Sequence, residues 1–204
     1  DKYGGRLVFS GTSGRSLRGT NLTIANLEGT FTASTNRTDK QWTFKADPSY
    51  VSILTKGGID CVNVANNHTH DYGDEGYVDT LAALDNAGVS RFGGDYTTIV
   101  EVKGIKIGFS GINECDDGIG CKAQAVENVK KLKENGAQII ICSFHWGDEI
   151  PIPPAMYIPH WQRPSLTRRR SCGSAPSRVL QGISTYKGKY ICYSLGNFCS
   201  GGNT

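Results

Sequence analysis

The chain has 204 residues, 38% of them hydrophobic and 20% charged, and this balance favours a single globular domain over a disordered or fibrous chain. Its 22 basic and 19 acidic residues give a formal net charge of +3, and the short run RPSLTRRR alone holds four arginines. Because the rest of the chain is close to neutral, we expect no nucleic-acid partner.

The first predicted elements are a short strand and a capped helix. The apolar, partly β-branched run LTIANLEG (22–29) predicts the strand. In ADPSYVSILTKGG (46–58), Asp47 is placed to cap a helix, Pro48 suits its first position, and the glycine pair ends it. These signals predict a helix of about three turns.

A buried strand and a second helix follow. The run IDCVNVA (59–65) is apolar and predicts a buried strand. In DEGYVDTLAALDNAG (74–88), Val78, Leu81 and Leu84 keep helical spacing, and a glycine closes the segment. The pattern predicts a helix behind the strand.

The remaining elements are two hairpins separated by a helix and a strand. TTIVEVKGIKIGFSGI (97–112) predicts a hairpin turning at Lys103-Gly104, and RVLQGISTYKGKYICYSLGNF (178–198) predicts another around Lys187-Gly188.

Between the hairpins, AQAVENVKKLKENG predicts an amphipathic helix with Val126, Val129 and Leu132 facing inward, and AQIIICSFHWG (137–147) predicts the most apolar strand. Strands that alternate with helices predict an α/β layered fold, with the hairpins adding antiparallel strands.

Two segments do not fit this pattern. Residues 5–19 show neither helical nor strand periodicity, and residues 150–178 form a long connection rich in proline and arginine. Both segments contain parts for which synonymous codons can be chosen. When those codons are read one base earlier, they encode apolar sequence with helical character. We therefore hypothesise that both segments are products of a shifted reading frame.

The sequence indicates neither a membrane-spanning segment nor a structural zinc site. No run approaches the roughly 18 apolar residues of a span, and the N-terminus lacks the apolar core of a signal peptide. The seven cysteines include no C-x-x-C pair. Cys61, Cys142 and Cys192 lie in apolar runs and are expected to behave as small hydrophobes. Cys115 and Cys121 flank a loop, and the sequence is compatible both with a disulfide between them and with two free thiols.

Polar clusters follow three of the predicted strands, and they predict a site. Glu28 follows LTIA, Asn67 and His68 follow CVNVA, and His145 follows IIICSF. Ligands bind beyond the carboxyl ends of strands in open α/β sheets, so the three clusters are expected to converge. Carboxylate, amide and imidazole groups together suit zinc, manganese or iron. Such a metal polarises a phosphoryl or carbonyl oxygen and lowers the pKa of a bound water.

Each residue also has a purely structural interpretation. Glu28 suits a surface turn, Asn66 suits an Asx-turn, and His145 suits a hydrogen-bonded strand end. We interpret His70 and Asp71 as solvated loop residues. The convergence of all three clusters is what gives the metal-site hypothesis its weight.

Five stretches resemble one known family: TIANLEGT, GIDCVNVANNHTHDYGDEGYVDTLAALDNAGV, EVKGIKIGFSGI, SFHWGDE and VLQGISTYKGKYICYSLGNF. They are similar to the bacterial CapA (PgsA) family of poly-γ-glutamate capsule synthesis, from residue 20 to the end. The resemblance implies one partial domain over 1–204 with a calcineurin-like metallophosphatase fold, a four-layered α/β sandwich with mixed sheets. It also implies a dinuclear centre of manganese, iron or zinc.

By the same resemblance, Glu28 would bridge the metals, Asn67 and His145 would be ligands, and His68 would be the proton donor beside the substrate. The family's early Gly-Asp ligand motif is missing from this sequence. Its Gly-His-x-Pro-His motif is replaced by GSAPSR (173–178), which has no histidine. We therefore expect a fold incomplete near both termini, an incomplete ligand set and weak or absent metal-dependent phosphatase activity.

Three functions remain open. The chain is a metal-dependent hydrolase acting on a phosphoester or on an amide of an anionic glutamate polymer, a non-catalytic envelope component that binds or guides that polymer, or a damaged, inactive gene product. The resemblance implies a location in the cell envelope or outside the cytoplasm, and other capsule-synthesis membrane proteins as partners.

Overall fold

The computed structural model describes residues 20–113, 121–145 and 182–195. The two anomalous segments, 5–19 and 150–178, lie outside these ranges, so the frame-shift hypothesis stays a prediction. The chain divides into two compact units, Asp1–Phe92 and Gly93–Thr204. The single domain predicted for 1–204 likewise stays a prediction.

Residues 20–92 of the first unit form five strands and two α-helices. In chain order they are β1 (Ile24–Asn26), β2 (Thr30–Phe31), β3 (Lys45–Ala46), a 3-10 turn (Pro48–Val51), α1 (Ser52–Gly57), β4 (Cys61–Asn63), α2 (Gly73–Asn86) and β5 (Ser90–Phe92). The second unit has α3 (Cys121–Glu134) and the strands β6 (Thr97–Val102), β7 (Ile105–Asn113), β8 (Ile139–His145), β9 (Ile183–Tyr186) and β10 (Lys189–Cys192).

A three-stranded parallel sheet, in the order β1-β4-β5, forms the centre of the first unit. Its central strand is fully buried, as expected for a strand covered on both faces. The apolar cluster around it includes Leu54, Val62, Leu84 and Val89. Burial, together with the nearby charge of Asp60, raises the pKa of the Cys61 thiol to about 12.

The capping signals at the first helix are confirmed. The Asp47 side chain accepts a hydrogen bond from the Ser49 backbone N–H at 2.9 Å, and Pro48 occupies the first position. The first turn is 3-10 rather than α. The helix ends at Gly58, whose left-handed φ of 77° suits a residue without a Cβ.

The predicted helix behind β4 also forms, as α2. Leu84 is fully buried and Leu81 packs against the same cluster, but Val78 is 61% exposed. The buried face of α2 instead includes Gly76, Thr80, Ala83 and Leu84, so the apolar spacing of Val78 does not place it in this core.

The second unit is built on the sheet β6-β7-β8. Strands β6 and β7 form the predicted antiparallel hairpin, and β7 pairs with β8 in parallel. Lys103 and Gly104 both have positive φ, 51° and 78°, as a two-residue hairpin turn requires. The predicted hairpin at Lys187-Gly188 forms in the same way from β9 and β10.

The inward face predicted for α3 is partly wrong. Leu132 is buried and Val129 packs against the core, but Val126 is 60% exposed. The buried side chains of α3 are Cys121, Asn128 and Leu132. With 3.6 residues per turn, Val126 lies on a different side of the helix from these three residues. Cys121 is buried and packs in this core.

The predicted α/β class with mixed sheets is confirmed. Both parallel and antiparallel pairs occur, and helices lie between strands along the chain. None of the helices in the described ranges is long and apolar enough to cross a membrane.

Candidate functional site at the ends of β1 and β4

Two neighbouring parallel strands carry the site residues of the first unit. Asn26 is paired with Asn63 at the end of the β1–β4 ladder. Because the strands are parallel, Glu28 and the pair Asn67 and His68 all follow their carboxyl ends, where α/β folds bind ligands. His145 is the last residue of β8 in the second unit, where it is buried and paired with Asn113. Its convergence with the other three residues stays a prediction.

Asparagine side chains tie the two strand ends together. The Asn63 and Asn66 amides each donate to Asn26 Oδ1 at 3.2 Å, and Asn66 also donates to the Leu27 carbonyl at 2.8 Å. Asn26 in turn donates to Glu28 Oε2 at 3.1 Å. The network therefore connects the exposed Glu28 carboxylate, through Asn26, to the buried Asn63 and Asn66 side chains.

Asn66 forms the turn that presents His68. Its Oδ1 accepts a hydrogen bond from the His68 backbone N–H at 3.0 Å, which is the geometry of an Asx-turn. Thr69 supports the same turn, since its hydroxyl accepts from the Asn66 N–H and donates to the Val64 carbonyl. The Asx-turn interpretation of Asn66 is thus confirmed, and its amide nitrogen also joins the site network.

The His68 side chain is buried and held in one orientation. Its Nδ1 lies 2.7 Å from Asp71 Oδ2, and the two side chains are 8% and 0% exposed. The Phe44 ring packs against the imidazole with centroids 4.4 Å apart. An ionised carboxylate only accepts hydrogen bonds, so Nδ1 carries the hydrogen and Nε2 faces away from Asp71.

The expectation that Asp71 is a solvated loop residue is wrong. Its Oδ2 also accepts from the Phe44 backbone N–H at 2.7 Å, and Lys40 Nζ lies 3.5 Å from Oδ1. The Asp71 carbonyl accepts from both the N–H and the hydroxyl of Thr38. His68, the Phe44 N–H and Lys40 replace the water that the buried carboxylate would otherwise need, and Thr38 satisfies the main-chain carbonyl.

His70 is exposed, as expected. Its Nδ1 lies 3.3 Å from Asp74, and the two side chains are 51% and 98% exposed. Its ring packs against Tyr77 with centroids 4.7 Å apart. His70 is therefore a surface residue of the same loop that buries His68.

The oxygen donors at this edge are of the right type for a divalent cation. The Glu28 carboxylate and the Asn67 amide follow adjacent strands, and carboxylate and amide oxygens are hard ligands. Within the described ranges, no three His, Cys, Asp or Glu side chains group closely enough to hold a metal ion. The metal ligands Glu28, Asn67 and His145 thus stay a prediction, and GSAPSR lies outside those ranges.

Sequence reasoning missed two contributors to the site: Asn63 and Lys40. Asn63 carried a signal, because an amide inside an apolar buried strand must find a hydrogen-bond partner. Lys40 carried none, since it lies in the polar loop between β2 and β3 and reaches the site only through the fold.

Comparison with known proteins identifies relatives in capsule synthesis. The "Capsule biosynthesis protein CapA" of Bacillus anthracis is 26% identical over 79% of this chain and 45% of its own length. The "PGA biosynthesis protein CapA" of Bacillus subtilis is 25% identical over 89% of this chain and 53% of its own length. The chain therefore spans about half the length of these curated relatives.

A solved structure supports the fold. A hypothetical protein from Thermus thermophilus superposes with a TM-score of 0.58 at 16% identity, covering 91% of this chain and 68% of that one. The sequence matches the family described as bacterial capsule synthesis protein PGA_cap over residues 3–202. With nearly the whole chain matched, the protein belongs to the PGA_cap family, as the resemblance of its five quoted stretches implied.

Proposed function

We propose that this chain acts in capsule biosynthesis through a hydrolase-type site whose proton donor is His68. The observation that carries the proposal is the buried hydrogen bond of 2.7 Å between His68 Nδ1 and Asp71 Oδ2. Buried and ordered histidine–carboxylate pairs are typical of proton-transfer sites, because the carboxylate fixes the imidazole and stabilises its charged form.

The arrangement assigns a role to each side chain. Asp71 and the Phe44 ring hold the imidazole, so Nε2 is the atom that gives a proton to a leaving oxygen or nitrogen. The amide network of Asn26, Asn63 and Asn66 fixes the turn that carries His68. Burial excludes bulk water from the Nδ1 side of the ring, which keeps that N–H bonded to Asp71.

The metal-ion part of the proposal concerns Glu28, Asn67 and His145. These residues would hold a divalent ion of manganese, iron or zinc, which when bound supplies Lewis acidity and an activated water. The serines and alanine at 174, 175 and 177 lack the imidazoles of the family motif. We therefore propose that hydrolysis by this chain is weak.

The substrate class follows from the family and from the chemistry of the site. Names of the relatives refer to capsule and PGA biosynthesis. We propose a phosphoester, or an amide of an anionic glutamate polymer, as substrate. We further propose that the protein works in the cell envelope with other capsule-synthesis membrane proteins.

A second candidate is a non-catalytic protein that binds or guides the polymer. The absence of histidine from GSAPSR favours it, because a metal centre with too few ligands binds its ions weakly. Under this alternative His68 and Asp71 would serve only the stability of the loop.

The two candidates are separated by measuring turnover in His68→Gln and in its surface counterpart His70→Gln. The purified chain is incubated with Mn²⁺ and bis(p-nitrophenyl) phosphate, or with poly-γ-glutamate, and its metal content is determined. The hydrolase proposal expects low turnover that disappears in His68→Gln and persists in His70→Gln. Equal turnover in all three proteins, or none in the wild type, favours the binding role.

A further inference from the structure

Lys40 links the two halves of the loop that carries His68. It lies in the connection between β2 and β3, far from His68 in sequence. Its Nζ donates to the Asn67 carbonyl at 2.5 Å and lies 3.5 Å from Asp71 Oδ1. One ammonium group therefore joins the residue before His68 to the carboxylate that holds the His68 ring.

The two oxygens of Asp71 have different partners. Oδ2 accepts from His68 Nδ1 and from the Phe44 N–H, both at 2.7 Å, whereas Oδ1 faces Lys40. A carboxylate turns about its last bond more easily when one oxygen lacks a donor, since terminal torsions of this kind are broad. Turning would move Oδ2 away from the imidazole.

We propose that Lys40 is a positioning residue for His68, acting through Asp71 and the Asn67 carbonyl rather than by touching the substrate. The inference rests on the proposed function for its catalytic readout, but its structural readout is independent of activity. It assigns a function to a loop residue that belongs to none of the strand-end motifs.

Lys45 provides a matched control. It lies in the adjoining strand β3, and its Nζ also donates to a backbone carbonyl, that of Ser34, at 2.5 Å. It lies over the Tyr72 ring at 4.7 Å rather than beside Asp71. Lys40→Met and Lys45→Met thus remove the same charge and the same kind of bond, and only Lys40→Met removes the contact with Asp71.

The structural readout is the imidazole Nδ1–H of His68, observed by NMR in protein labelled with ¹⁵N-histidine and assigned with His68→Gln. We expect a slowly exchanging signal in the wild type and in Lys45→Met. In Lys40→Met we expect the Nδ1–H to exchange with solvent at least tenfold faster, or its signal to broaden beyond detection. In Lys40→Arg we expect part of the protection against exchange to return. An unchanged signal in Lys40→Met, or no protected signal in the wild type, overturns the inference.

The kinetic readout separates positioning from substrate contact. We expect kcat to fall about tenfold in Lys40→Met with KM unchanged, because the proton donor is misplaced while binding is retained. A raised KM at unchanged kcat would mean that Lys40 contacts substrate, and it overturns the inference. If Lys40→Met does not fold, Lys40→Gln is judged by the same criteria. If the wild type hydrolyses nothing, the proposed function fails while the NMR result still decides the role of Lys40.

Discussion

Two histidine–aspartate pairs lie within seven residues of the chain, and they have the same chemical groups but different surroundings. His68 and Asp71 are buried and 2.7 Å apart, and the carboxylate has further backbone and lysine donors. His70 and Asp74 are exposed and 3.3 Å apart. The comparison shows that the surroundings of a pair, rather than its residue types, decide whether it can hold a proton in a defined place.

The physical reason lies in solvation. Water competes for both members of the exposed pair and screens them, so such pairs contribute little to stability. A buried carboxylate must keep all its partners, because a lost partner leaves a polar group that water cannot reach. The buried pair is therefore ordered, and it is costly to break.

Removing each imidazole should produce the largest difference between the two pairs. If the chain hydrolyses its substrate as proposed, we expect His68→Gln to lower the rate about 100-fold or more, the usual effect of losing a general acid. His70→Gln should stay within about twofold, because an exposed residue of the same loop makes no comparable buried contact. Initial rates with Mn²⁺ measure both, and equal losses would mean that the loop matters only as a whole.

Removing each carboxylate should separate the pairs in stability. Asp71→Ala leaves the Phe44 N–H and the His68 Nδ1–H without their acceptor, and we expect a loss of about 2–4 kcal/mol. Asp74→Ala should change stability by less than about 0.5 kcal/mol. Urea unfolding followed by circular dichroism gives both values. A small loss in Asp71→Ala would show that water enters the loop and replaces the carboxylate.

Gly29 contacts Phe44, the residue whose ring packs on His68. Gly29 has a φ of 139°, and a Cβ there would lie 3.0 Å from Phe44 Cβ, the residue that packs on His68. We expect Gly29→Ala to cost about 1–3 kcal/mol through strain and crowding, and to lower the hydrolytic rate as well.

Gly88→Ala is the control for backbone strain. Gly88 has a φ of 69°, and nothing lies within 4 Å of the position of its Cβ. We expect a cost of about 1 kcal/mol from its left-handed backbone alone, with the hydrolytic rate unchanged. Equal effects of the two substitutions on the rate would contradict a specific role for the Gly29–Phe44 contact.

The smallest expected effect is the coupling within the exposed pair. A double-mutant cycle on His70 and Asp74 should give less than about 0.5 kcal/mol at low salt, and added salt should reduce it further. The same cycle on His68 and Asp71 should give a larger coupling that salt changes little, because the buried pair is poorly screened. Similar salt dependence in both cycles would mean that the loop opens readily to solvent.

The sequence predicted the helices, the hairpins and the turn at Asn66 well, because these depend on local signals. Asp47 and Pro48 start a helix, Lys103-Gly104 turns a hairpin, and Asn66 forms its own turn. The burial of Asp71 was not predictable, since its partners Phe44 and Lys40 come from a distant loop.

The exposure of Val126 was missed for a related reason. Helical spacing identifies possible apolar faces, but only the packed sheet decides which of them is covered, and here it is the stripe of Cys121, Asn128 and Leu132. Single-residue burial is thus a property of the assembled unit rather than of the segment.

The thiol of Cys61 offers a way to follow the site without any substrate. Cys61 begins the strand that leads to Asn67 and His68, is fully buried, and has a pKa raised to about 12. Only the thiolate reacts with alkylating reagents, so near neutral pH Cys61 should be modified only when β4 opens. Peptide mass spectrometry can separate its labelling from that of the other cysteines. A ligand that binds the closed form slows this labelling in proportion to its occupancy, so Cys61 can report on candidate capsule fragments and metal ions even where turnover is too slow to detect.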